Sequence, residues 1–345
     1  MTILLGDLHF EPKELNIKRG TDFFNNYIIR NKKYKNIICM GDIFTDKRKL
    51  DVYMLNKIKK EIFEKLTDRK IYIILGNHDI YYKEDNSINS VELLESMFDN
   101  IYVIKKDEII EIENIKYYCI PYGFIPDKNK MKESDYVLGH IEFYPYYPYS
   151  KLDIEEYKKY NKNILMGHLH KKTFDEENKI FPYMGTPYSL NFNDLDDIKG
   201  YIEIKNQNNF AFIENKINDY FISVRIKENK INFDKKIKEL LIFENIKDIN
   251  DFLENIEILK KHHFRFFVDD EEKYIKFFNQ LEENNIDFYI RREENQLNEN
   301  EDDEFDDSLK MKDYKDIIKE NLNSEENLFF EKVYQKYLQE KENLL

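Results

Sequence analysis

Glycine and histidine are scarce in this chain, yet they fall together. Five of its nine glycines and five of its seven histidines lie in five short motifs. These are Gly6-Asp7-Leu8-His9, Gly41-Asp42, Gly76-Asn77-His78-Asp79, Gly139-His140 and Gly167-His168-Leu169-His170. Imidazole nitrogens beside carboxylate and amide oxygens form a donor set for Mn, Fe or Zn rather than for calcium. Asp7, His9, Asp42, Asn77, His140, His168 and His170 supply enough ligands for two ions that share one carboxylate. Two cations roughly 3.5–4 Å apart clamp both the attacking and the leaving oxygen of an in-line phosphoryl displacement. They also lower the pKa of a bridging water, so that hydroxide exists at neutral pH. His78 is then left to assist the leaving group, with Asp79 expected to fix its tautomer. Singly, each motif is an ordinary turn. Only one site that uses all of them makes the set coherent.

The motifs must be positioned by what precedes them. Apolar runs at 2–5, 36–40, 71–75, 136–138 and 163–166 each end in a motif glycine. Such β-favouring runs closed by glycine predict buried strands ending in sharp turns. In an open α/β sheet, ligands sit at the carboxyl ends of strands. Helical spacing marks 20–34, 50–66 and 90–98, the second through Leu50, Met54, Leu55, Ile58, Ile62 and Leu66. Further strands are expected at 101–104, 108–112, 115–120, 200–204 and 209–214. Strands that alternate with helices and then follow in series predict an α/β fold, a two-sheet sandwich flanked by helices.

The pattern changes near residue 218. Strands at 220–227, 263–268 and 286–291 with helices at 250–261 and 271–284 predict a small α+β module. Residues 293–307 are dense in Glu, Asp and Asn, which reads as an acidic linker. An amphipathic helical pattern returns over 312–341. The expected domains are therefore 1–218, 219–292, a linker at 293–311 and C-terminal helices at 312–345.

Over 345 residues, a net charge of −14 argues against a protein that coats DNA through a broad basic face. It leaves room for an enzyme that meets nucleic acid through bound metals or a basic partner. Cys39 and Cys119 lie in apolar runs and read as reduced core residues of an intracellular protein. Neither a signal segment nor a membrane span is expected.

The five motifs, complete and in order, resemble those of the calcineurin-like metallophosphoesterases over roughly the first 200 residues. By that resemblance, Asp7, His9, Asp42 and His170 hold one metal, while Asp42, Asn77, His140 and His168 hold the second. Asp42 then bridges, and His78 is the acid or transition-state stabiliser. The order of phosphoesterase region, α+β module, acidic linker and terminal helices is similar to the nuclease subunits of SbcCD-type recombination complexes, including those of T-even-like phages. Gly139-His140-Ile141-Glu142 with the aromatic loop after it, and Gly185-Thr186-Pro187, resemble that group too.

The resemblance implies a DNA exonuclease or endonuclease of repair and recombination, working with two divalent ions, Mn first and Mg, Fe or Zn as alternatives. It implies an α+β module (219–292) that caps the site and positions DNA, and C-terminal helices that dock on an SMC-like coiled-coil ATPase. A homodimer and a cytoplasmic location, the host's if phage-encoded, are implied as well. Relatives often carry a histidine three residues after the bridging aspartate; here Thr45 stands there, with Lys47 or Arg48 as possible substitutes. A phosphatase or cyclic-nucleotide phosphodiesterase of the same fold stays open, as does a non-catalytic scaffold for the ATPase. The aromatic loop at 143–149 either stacks bases or packs its own rings. Lys13, Lys18 and Arg19 either touch phosphates or form a solvated face. His262 and His263, outside the motifs and near the edge of the module, are expected to be exposed or at a strand start rather than catalytic.

Overall fold

The chain begins with strands that are apolar on both faces, as parallel strands covered on each side must be. Strand β1 (Thr2–Leu5) is followed by α1 (Glu14–Phe23), which runs on into a π-turn over Phe24–Ile29. Next come β2 (Asn36–Cys39), α2 (Val52–Glu61) and β3 (Lys70–Ile74). The carboxylate of Asp51 caps α2 by accepting the Met54 N–H at 2.8 Å. Short paired strands β4 (Ile80–Tyr82) and β5 (Asp85–Asn89) lead to α3 (Glu92–Met97) and β6 (Ile101–Ile104). The run continues with β7 (Glu108–Ile112), β8 (Ile115–Ile120), α4 (Lys128–Glu133) and β9 (Tyr136–Gly139). Then come α5 (Ile154–Tyr157), β10 (Ile164–Met166), β11 (Gly200–Asn206) and β12 (Asn209–Glu214).

These strands form two sheets, in the orders β12-β11-β1-β2-β3-β6 and β10-β9-β8-β7. In the first, β1, β2, β3 and β6 are parallel neighbours, with β11 antiparallel to β1. In the second, β8, β9 and β10 are parallel. Leu4, Ile38, Ile74, Cys119, Leu138 and Leu165 meet in the apolar layer between the sheets. The opposite face of the first sheet packs on α1, α2 and α3 through Phe23, Met54, Ile58 and Leu94. This is the expected α/β sandwich of two sheets flanked by helices.

A third sheet follows. Strands β13 (Phe221–Lys227) and β14 (Lys230–Phe233) precede α6 (Ile249–Glu254), α7 (Ile256–Leu259) and β15 (His263–Val268). Helix α8 (Ile275–Glu283) and β16 (Asp287–Arg292) complete it, in the order β14-β13-β15-β16. Its own apolar cluster centres on Phe252, Phe264, Phe266 and Phe277.

The computed structural model describes residues 1–82, 85–173, 182–191, 194, 198–216, 221–233, 245–260 and 262–292. Met1–Arg292 form one compact unit, and the expected boundary at 218/219 falls inside it. The acidic linker and C-terminal helices expected over 293–345 lie outside the described residues. Among those described, no helix is long and apolar enough to cross a membrane. Cys39 and Cys119 are both buried and free, as expected.

Candidate metal centre

The motifs converge because the strands that carry them run parallel. β1, β2 and β3 end on one edge of their sheet, and β9 and β10 end together in the other. Two glycines make the close approach possible. Gly41 sits at φ +109°, and a Cβ on Gly76 would overlap the Asp42 carboxylate. Three site residues hold positive φ without being glycine: His9 at +46°, Asp42 at +50° and His168 at +81°. Such backbone is uncommon, and it gathers where surrounding structure over-determines a functional turn.

Asp42 stands between two groups of donors. Its Oδ2 lies 3.6 Å from His9 Nε2 and 3.2 Å from His140 Nε2. On one side, His170 Nε2 is 3.0 Å from His9 Nε2 and 3.9 Å from Asp7 Oδ2. On the other, Asn77 Oδ1 lies 2.9 Å from His140 Nε2 and 3.0 Å from His168 Nδ1, and those two nitrogens are 3.2 Å apart. The donors of Asp7, His9 and His170 fall within 4.8 Å of one another, as do those of Asp42, His140 and His168. All the predicted ligands are brought together.

The donor set fits divalent ions. Adjacent ligands of an octahedral ion with bonds of about 2.1 Å stand about 3.0 Å apart, close to the spacing seen around Asn77. Imidazole nitrogens that face one another at 3.0 and 3.2 Å direct lone pair at lone pair unless a proton or cation lies between. His140 is aimed from behind, since its Nδ1–H donates to the Met40 carbonyl at 2.8 Å and leaves Nε2 for the centre. Asp7 is held by the backbone N–H of His168, 2.9 Å from Oδ2.

Electrostatics follow from burial and crowding. Burial pushes the Asp7 carboxyl up to about 7, against the pull of His140. Burial alone would depress His140, but the Asp42 and Asp7 carboxylates prevail and raise it to about 10. Burial likewise opposes ionisation of Asp42, yet His140 holds it well below the usual carboxylate range. Burial depresses His170 to about 3, with Lys199 adding to the effect. Burial and then His170 lower His9. Without metal, the centre thus keeps a proton on His140 against Asp42, and leaves His9 and His170 neutral.

One expected contact is corrected. Asp79 does not set the His78 tautomer. Its carboxylate is fully buried and accepts three backbone N–H groups: Asp42 at 2.8 Å and Gly76 at 2.9 Å on Oδ2, and Ile43 at 2.9 Å on Oδ1. These amides of two tight turns have no strand partner, so a buried acid between them ties the β2 and β3 loops together. The His78 ring is oriented by a backbone group, with Nδ1–H donating to the Thr45 carbonyl at 2.8 Å. The Thr45 side chain turns away and donates to the His9 carbonyl at 3.1 Å. Lys47 Nζ lies 3.4 Å from the Asn77 carbonyl, whereas Arg48 is exposed. Sequence reasoning missed the Thr45 carbonyl, because a backbone acceptor leaves no mark in residue type.

The remaining candidates divide. In the aromatic loop, Phe143 is buried, Tyr149 is exposed, and the Tyr147 ring stands 5.6 Å from that of His168. A cleft of about 1080 Å³ opens beside the second donor group, lined in part by Lys105, Tyr122, Phe124, His140, Glu142 and Tyr149. His262 and His263 are buried rather than exposed; His263 opens β15, and its Nδ1–H donates to Asp287 at 2.7 Å. Arg19 is buried with its guanidinium 4.4 Å from the Phe221 ring centre. Lys13 and Lys18 are exposed and pair with Glu11 and Asp22.

The calcineurin-like phosphoesterase family model matches residues 2–172, which include every predicted site residue. Exonuclease subunit 1 of Enterobacteria phage T4 is 28% identical over 176 residues, 48% of this chain and 51% of that protein. The chain thus spans about half the length of that curated relative. The two donor groups about Asp42 both lie within the span that this family model matches. Over residues 2–172, the chain is similar to the calcineurin-like phosphoesterase family.

Proposed function

We propose that this chain is the Mn-dependent DNA nuclease subunit of an SbcCD-like recombination and repair complex. The observation that carries the reading is the place of Asp42 Oδ2, between the ring nitrogens of His9 and His140. Asp7, His9, Asp42 and His170 would hold one ion, and Asp42, Asn77, His140 and His168 the other. When bound, such a pair supplies a nucleophile at neutral pH and neutralises charge on the phosphoryl oxygens. The chain's own groups do the rest. Asp79 locks the turns that present Asp42 and Asn77. The Thr45 carbonyl takes the Nδ1–H of His78 and turns Nε2 outward, and the ring, as the imidazolium protonated at both nitrogens, gives its Nε2 proton to the departing sugar oxygen and is left neutral. The cleft beside His140 offers room for the strand that flanks the scissile phosphate.

Similarity to a phage exonuclease subunit supports DNA as substrate and a partner subunit. In this reading, 219–292 cap the site, 312–345 dock on an SMC-like ATPase, the chain pairs as a homodimer, and it works in the cytoplasm, the host's for a phage protein. The test is cleavage of linear duplex DNA in Mn, with EDTA, His78→Ala and a small phosphomonoester as controls. DNA cleavage abolished by EDTA and by His78→Ala, without monoester turnover, is the expected result. Monoester turnover without DNA cleavage, alone or with an ATPase partner added, would overturn it in favour of a phosphatase.

A further inference from the structure

The His168 ring is held at both edges. Its Nδ1 faces the second donor group, 3.0 Å from Asn77 Oδ1. Its Nε2 lies 3.1 Å from Glu142 Oε1. A carboxylate accepts, so Nε2 is the protonated nitrogen and Nδ1 of the neutral ring is left with the lone pair. Without that acceptor, either nitrogen can carry the proton and the ring has no fixed aim.

Glu142 is itself firmly based. The buried Tyr183 hydroxyl donates to the Ile141 carbonyl at 2.9 Å and accepts the Phe143 N–H at 2.7 Å. Ser150 Oγ donates to the Glu142 carbonyl at 2.7 Å. The backbone on each side is therefore clamped, which distinguishes this carboxylate from one on a free surface loop. Glu142 is not part of the donor group of Asp42, His140 and His168, and it meets that group through the far edge of the His168 ring.

We propose that Glu142 is a positioning residue that sets the tautomer and aim of His168 toward the second ion without ligating that ion itself. The inference rests on the two-ion reading above. Partners of this kind behind a metal-bound imidazole change metal affinity by about 10–100-fold.

The test is a Mn(II) titration of the full chain, with free Mn(II) followed by electron paramagnetic resonance. Wild type should show two classes of site. Glu142→Ala should weaken one class by about 10–100-fold and leave the other in place. Glu142→Gln, whose amide oxygen still accepts from Nε2–H, should fall between wild type and Ala. Should the Ala variant fail to fold, the isosteric Gln variant carries the test, and weakening confined to one class supports the inference. Wild-type binding in both classes would overturn it. So would a Gln variant as weak as Ala, which would make Glu142 a ligand, or weakening of both classes alike. A wild-type chain that takes up no Mn(II) would overturn the two-ion reading, and this inference with it.

Discussion

At the scale of single residues, the centre divides into groups placed to hold ions and groups that hold those groups. His78 lies outside both donor sets, its backbone N–H donating to Asp42 Oδ1 at 2.8 Å. His78→Ala should therefore keep both ions by elemental analysis while turnover falls about 10²–10⁴-fold, the usual range for a lost general acid. Full retained activity would remove it from the mechanism. Asp42→Ala should instead leave metal content near zero, because in the proposed site both halves use its carboxylate. The raised His140 value has a sign that can be checked. An ion at Nε2 must displace a proton held up to about pH 10, so loading releases protons and apparent affinity rises with pH below that value. Calorimetry in two buffers of different ionisation enthalpy should show about one proton released per second-site ion; no buffer dependence would contradict the charge state drawn for His140. That these residues converge was legible because imidazole, carboxylate and amide beside glycine are rare together. The supports were less so. Asp79 was visible as an acid but its three amide donors were not, and the Thr45 carbonyl has no residue signature at all.

At the scale of elements, the site exists because short parallel strands stop in register and turn at glycine. Gly76→Ala tests this. A Cβ there overlaps the Asp42 carboxylate and amide, so the β2 and β3 loops must part. Overpacking of this kind costs about 1–3 kcal/mol, and here metal uptake should fail with it. Asp51→Ala is the contrast, since removal of the α2 cap should cost about 1 kcal/mol and leave metal content unchanged. Denaturant unfolding beside elemental analysis separates the two; a Gly76→Ala chain with full metal content would show that the loops tolerate the spread. Strand positions were legible because buried parallel strands are apolar on both faces. Helix α1 was not, since it starts at Glu14 rather than near residue 20. Its first turns bury Asn16, Arg19 and Thr21, polar residues that hydrogen-bond within the helix, so no apolar stripe marks them. A π-turn over Phe24–Ile29 then shifts the apolar face. The pair β4 and β5 is short and mostly exposed, and it carries no alternation to read.

At the scale of the whole molecule, charge and site pull in opposite directions. A net charge of −14 repels a polyanion, and the described basic residues near α1 are largely committed: Arg19 to Phe221, Lys13 and Lys18 to neighbouring acids. Electrostatic affinity for DNA scales with the number of phosphates that cations neutralise. If the ions of the centre supply much of that neutralisation, binding must depend on them. The catalytically silenced His78→Ala chain isolates this from cleavage. Its affinity for a labelled duplex, read by fluorescence anisotropy, should be measurable with Mn(II) and collapse in EDTA. The slope of log K against log salt should be shallow, equivalent to a few phosphates rather than the six to ten of a DNA-coating protein. Tight binding in EDTA with a steep slope would reverse the picture. It would mean that a basic surface of this chain, rather than its metal centre or a partner subunit, brings the DNA to the cleft.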